Sequence, residues 1–190
     1  MKFNTAALTL LSTTLAAAAP TPSATTILGY AVPSILKVHN MNNNLNNKDV
    51  RITTVRSGNY ETSTLFDIPI PAAAAGHTCG LVLRALEGGD VVSGSACLDI
   101  FQNTFTNLAT LTQGNLRDQQ MARMVFNGNT GLYDFKRSDM TPKVDTFPCP
   151  AGQTLHWEAA AVGDFDVNLV GQDSGYAGAH VPNGLSVAWW

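Results

Sequence analysis

Twice in this chain an apolar run ends at an aromatic residue, turns through proline and an Ala-Gly step, and starts a new apolar run. Phe66-Asp67-Ile68-Pro69-Ile70-Pro71 leads through four alanines to Gly76-His77-Thr78-Cys79-Gly80-Leu81-Val82-Leu83. Phe147-Pro148-Cys149-Pro150-Ala151-Gly152-Gln153-Thr154-Leu155-His156-Trp157 repeats the plan. Proline lacks the N–H that a central strand must donate, so it marks a strand end. Glycine supplies the turn dihedrals other residues resist. A chain punctuated in this way folds into short strands joined by tight corners, and each corner carries one cysteine.

The first residues point to a compartment. Lys2 precedes a short apolar run over 6–15 and an alanine series that ends before Pro20. This is the form of a secretory signal peptide over 1–19, cut near Ala18 or Ala19, and the run is too short to span a bilayer. Residues 20–33 read as a flexible lead-in, rich in Pro, Ser and Thr at its start. Residues 34–190 read as one domain. Secretion or cell-wall association follows as the expected location, with no membrane anchor. Eleven basic side chains less Lys2 leave ten, against fourteen acidic ones, and no basic stripe is present. Nucleic acid is therefore not an expected partner. No Asn-x-Ser/Thr acceptor occurs.

An oxidising compartment lets two of the three cysteines pair. Cys79 and Cys149 occupy equivalent corners and form the favoured bridge; Cys79–Cys97 is the alternative. The state of the remaining thiol, Cys97 in the favoured scheme, is left open. Its setting in Ser95-Ala96-Cys97-Leu98-Asp99-Ile100-Phe101 is that of a small core-facing residue.

Strand-like runs recur over 35–39, 50–56, 63–68, 78–85, 97–101, 104–111, 123–126, 132–135, 154–161, 165–170 and 185–190, separated by Gly/Asn/Asp turns. Such spacing predicts an all-β, antiparallel sandwich of jelly-roll type with one disulfide. The six asparagines of 40–47 read as a solvated loop. Residues 117–125 are the one stretch that could form a helical turn. Period-two alternation puts Leu155, Trp157, Ala159 and Ala161 on one face, with Glu158 outward. It puts Phe165, Val167 and Leu169 inward, with Asp164, Asp166 and Asn168 toward solvent. At the C-terminus Leu185, Val187 and Trp189 face the core and Trp190 faces out.

Several of these pieces, in order, resemble the fungal But-two C-terminal domain family, also labelled "ubiquitin 3 binding". They are Thr64-Leu65-Phe66-Asp67-Ile68-Pro69, Ala75-Gly76-His77-Thr78-Cys79-Gly80-Leu81-Val82, the run from Gly94 to Leu98-Asp99-Ile100-Phe101, and Phe147-Pro148-Cys149-Pro150-Ala151-Gly152. Gly163-Asp164-Phe165-Asp166-Val167 resembles the family's final hairpin. The likeness spans 34–190. It implies a domain that contacts a subunit of a ubiquitin-like-protein activating enzyme. Many similar chains consist of a leader and this domain alone.

Reaction chemistry is sparse. Asp164 and Asp166 are weak candidates for a hard cation, since no EF-hand spacing accompanies them. Asp67, Asp99, Glu158 and Asp166 are the carboxylates a glycosidase would need in pairs. His39, His77, His156 and His180 lack metal-ligand spacing and read as surface or turn residues. Gly94-Ser95-Ala96 is not a nucleophile elbow. Trp190 and Tyr176 are candidates for stacking on a sugar ring. The sequence thus favours a secreted, non-enzymatic module without cofactors that binds cell wall, polysaccharide or an extracellular protein. A cell-wall carbohydrate hydrolase and the interaction domain implied by the But-two likeness are the alternatives.

Overall fold

Residues 26–174 and 180–190 are described by a computed structural model. The expected leader, residues 20–25 of the expected lead-in and Tyr176 lie outside the described residues, while the rest of that lead-in contributes a strand at Gly29–Ala31. Short apolar runs broken by Gly, Asn and Pro give fourteen strands among the described residues: β1 Gly29–Ala31, β2 Ile35–Asn40, β3 Leu45–Asp49, β4 Arg51–Ser57, β5 Tyr60–Pro69, β6 Thr78–Arg84, β7 Val91–Ser93, β8 Cys97–Asn103, β9 Arg117–Asn127, β10 Leu132–Phe135, β11 Phe147–Pro148, β12 Thr154–Ala161, β13 Asp166–Gly171 and β14 Gly184–Trp189. The helical element described is a single 3₁₀ turn, Ala72–Ala74, inside the first proline corner. All strand pairs are antiparallel, in the order β1-β14-β6-β10-β9-β8-β12-β5-β4-β13-β7.

The sheet curls on itself as a half-barrel, so the two faces of a sandwich are hydrogen-bonded parts of one sheet. Period two decides what it encloses. Phe66 and Ile68, Leu81 and Leu83, Leu98 and Ile100, Ala122 and Met124, Trp157 and Ala159, and Leu185 and Val187 alternate inward on six strands and form one core. At Thr62 the outer edge of β5 changes partner from β4 to β2. The sheet forks there, and β4, β13 and β7 leave the plane of β2 and β3.

Both proline corners meet. Ile70 donates to the Gln153 carbonyl at 2.9 Å and Gly152 donates to the Ile70 carbonyl at 2.9 Å. Phe147 of β11 pairs with Cys79 of β6. The Cys79–Cys149 bridge closes this corner with the two Cα atoms 5.0 Å apart, and Cys97 is a free, buried thiol on β8.

Four expectations change. Residues 104–111 form no strand but a loop across the outer face of β5, because side chains take the groups a ladder would use. Asp67 accepts from Leu108 N–H at 3.2 Å, and the Lys37 ammonium donates to the Ala109 and Leu111 carbonyls at 3.0 and 2.8 Å. Beneath this loop Leu65, Phe105 and Leu108 make a second small cluster. Residues 117–125 are strand β9, where pairing with β8 and β10 overrides local helix preference. Part of the asparagine-rich loop, from Leu45 on, pairs with β2 as β3.

The fourth change inverts β13. Asp166 and Asn168 are fully buried, while Phe165 is 69% exposed and Val167 and Leu169 are half-buried. Buried polar groups persist where partners satisfy them. Asp166 accepts from the Ser95 N–H and hydroxyl and from Gly163 N–H. Asn168 accepts from the Tyr133 hydroxyl at 2.9 Å and donates to Thr54 Oγ1 at 3.2 Å. Gly94 permits the Asp166 cage, having φ +78; a Cβ there would stand 2.1 Å from Asp166 Oδ1. Gly94→Ala therefore lowers stability by more than about 1 kcal/mol, read as a shifted urea midpoint. An unchanged midpoint would contradict the cage's role.

Candidate functional site: a groove at the disulfide corner

Phe147 organises one end of the molecule. It opens β11, a strand of two residues that pairs with β6, and Pro148 ends the pairing. Its ring meets Trp157 edge-on, with centroids 6.1 Å apart. Two depressions share this ring as a wall. The deeper one is about 290 Å³, with Met121, Val144, Phe147, Leu155 and Trp157 as apolar lining and Gln102, Asn103, Lys143, Gln153, Thr154 and His156 as polar lining. The shallower one is about 390 Å³ and is formed by Gly76, His77, Thr78, Thr146, Phe147 and Pro148. Trp157 itself is 3% exposed, so it is closed floor, whereas Phe147 is half-buried.

Trp190 lies beside the shallow depression. Its N–H donates to the Thr78 carbonyl at 3.0 Å and its carbonyl accepts from Thr78 N–H at 3.1 Å. Its ring lies over Gly80, where a Cβ would be 2.9 Å from the ring and 2.5 Å from the Asp145 carbonyl. Trp190 is therefore half-buried, not exposed as simple alternation predicts, because a glycine opens a seat for it. Trp189 packs against the core and also covers a glycine, Gly29. Tyr176, the other stacking candidate, lies outside the described residues.

The carboxylates are dispersed and partnered. Asp99 takes two hydrogen bonds from Arg123, at 2.7 and 2.8 Å. Asp67 bonds His156 Nδ1 at 2.6 Å. Glu158, expected outward, is fully buried under the 104–116 loop. Arg117 grips it with two bonds at 3.0 and 2.7 Å, Asn115 adds one at 3.1 Å and Asn103 one at 3.2 Å. Burial alone would raise its pKa, but the hydrogen bonds and charge of Arg117 outweigh that and hold it below the ordinary carboxyl value. None of Asp67, Asp99, Glu158 and Asp166 lines either depression.

The weak cation candidates separate. Asp164 is exposed and pairs with Arg56 at 3.4 Å, while Asp166 points into the Ser95 cage. Among the described residues no cluster of three His, Cys, Asp or Glu is placed to hold a metal ion. His39 is buried and bonded to Asn46 at 2.7 Å, so it is no surface histidine. Among the described residues no helix is long and apolar enough to cross a membrane.

The groove offers an aromatic wall, a neutral rim of amides and hydroxyls, and one cation, Lys143. Such a surface can contact the C–H faces of a polyhydroxylated ligand and hydrogen-bond its hydroxyls. Sequence reading singled out Trp190 but not Phe147, Met121, Gln102 or Lys143. Phe147 had a signal: it is the aromatic strand end of the second corner motif. Comparison of the chain with family models, with curated proteins and with solved structures finds no match.

Proposed function

We propose that this chain is an extracellular, non-enzymatic β module that binds cell-wall polysaccharide through the groove walled by Phe147. The observation that carries this reading is the placement of one half-buried aromatic ring between two depressions whose polar lining is mostly amides and hydroxyls, with Lys143 as the cation of the deeper one and Trp190 alongside. A disulfide and the leader-like N-terminus support the extracellular setting. The same two features weigh against a partner in intracellular ubiquitin-like activation, which the But-two likeness implies. The dispersal of the carboxylates weighs against hydrolysis.

Retention of purified protein on insoluble chitin, β-glucan and whole cell wall tests the reading. The wild type is retained selectively. Phe147→Ala and Trp190→Ala each weaken retention about tenfold, the equivalent of about 1.4 kcal/mol for a lost aromatic contact. Thr146→Arg keeps the fold, since Thr146 is exposed, and blocks the shallow depression to similar effect. Equal retention of all three variants would remove the groove from the site. No retention of wild type would move the reading to a protein ligand.

A further inference from the structure

The opposite end of the sheet carries a second exposed aromatic surface. β5 runs from Tyr60 at this end to Pro69 at the disulfide corner, where it pairs with Thr154. Ten residues of strand put the two ends roughly 30 Å apart. Tyr60 follows the β4–β5 turn and is 50% exposed; Phe165 precedes β13 and is 69% exposed. Ser57 pairs with Tyr60 and Arg56 pairs with Asp166, so Tyr60 on β5 and Phe165, just before β13, lie at the same end of the sheet on either side of β4. β5 and β13 are about 10 Å apart there.

Both turns are held in place from below. Phe165 has φ +66, a conformation unfavourable for a residue with a Cβ. The buried Asp166 next to it is fixed by Ser95 and Gly163. Asn42 ties down the Tyr60 turn, donating to the Asn59 carbonyl and accepting from Glu61 N–H. A large apolar ring is thus held out to water in a disfavoured conformation, and such outliers collect where a ligand is met.

We infer that Tyr60 and Phe165 form a second polysaccharide-binding platform, which makes the protein a two-ended module able to bridge separate chains. The ligand class follows from the surroundings. Ser57, Gly58, Asn59 and Ser93 are uncharged and exposed, which suits sugar hydroxyls. The nearby cation, Arg56, is occupied by Asp164 and the Val162 carbonyl. An anionic lipid surface would want free cations here. This inference shares with the proposed function the assignment of polysaccharide as ligand, but it does not depend on the Phe147 groove.

The test uses fine particles of chitin and β-glucan with four proteins: wild type, a corner variant (Phe147→Ala with Thr146→Arg), a tip variant (Tyr60→Ala with Phe165→Gly), and all four changes together. Glycine suits φ +66, so Phe165→Gly keeps the turn. Wild type is retained and aggregates the particles. The corner variant and the tip variant are each retained about tenfold more weakly and do not aggregate them, and the combined variant is not retained. A tip variant that behaves as wild type would overturn the platform and leave the groove standing. A corner variant that behaves as wild type, with the tip variant lost, would overturn the groove and leave the platform. Absence of wild-type retention on both polymers would overturn both. Wild-type binding to phosphatidylcholine or phosphatidylserine vesicles, lost in the tip variant, would overturn the platform in favour of lipid.

Discussion

Removing the Cys79–Cys149 bridge, as Cys79→Ala with Cys149→Ala, lowers unfolding free energy by about 4 kcal/mol. The bridge spans 70 residues, and a cross-link of that length removes loop-closure entropy of this size from the unfolded chain. For a domain this large the melting temperature falls by roughly 10 °C. The loss also has a local side. β11 holds to β6 through two residues, and Phe147 is one of them. Without the bridge the Phe147 wall loosens, so retention on polysaccharide falls along with stability. Cys97→Ala is the control. It deletes one buried sulfur that bonds to no other cysteine and costs on the order of 1 kcal/mol. Urea unfolding of the three proteins measures this; coincident midpoints for bridged and bridge-free protein would contradict it.

Arg117→Ala costs about 3–5 kcal/mol, because it leaves the Glu158 carboxylate buried without its cation. Arg117 also lies over the Phe101 ring, 4.2 Å from its centroid, so its removal takes packing as well as charge. The double replacement Arg117→Met with Glu158→Leu costs less than the single one, since no orphan charge remains. A pH dependence follows from the depressed pKa of Glu158. A carboxyl whose folded pKa lies below its unfolded value stabilises the fold above the unfolded value, about pH 4.3. That contribution fades as pH falls through the folded pKa. The stability gap between wild type and Glu158→Gln therefore narrows below about pH 4. A gap that widens on acidification would contradict the pairing.

Strand positions, the corner motif and the Cys79–Cys149 pairing were legible in the residues because each rests on a local rule. Proline stops strands, glycine turns them, and equivalent corners carry equivalent cysteines. Side chains whose direction depends on distant partners were not legible. Asp166 and Glu158 read as outward polar residues, yet Ser95 and Arg117, far away in sequence, make their burial tolerable. Residues 104–111 read as strand because nothing local reveals that Lys37, Asn46 and Asp67 take backbone groups there. Trp190 was half legible: parity gave its face, but only the seat above Gly80 explains its partial burial. Phe165 was hidden for the same reason as Asp166, since β13 is inverted relative to its own alternation.

Amide chemical-shift mapping of the purified protein with chitohexaose and with laminarihexaose tests the binding account most directly. Saturable shifts at Gly76, His77, Thr78, Thr146, Phe147 and Trp190 are the predicted result, with a second set at Tyr60 and Phe165. Shifts confined to other surfaces, or none with either oligosaccharide at millimolar concentration, would contradict it.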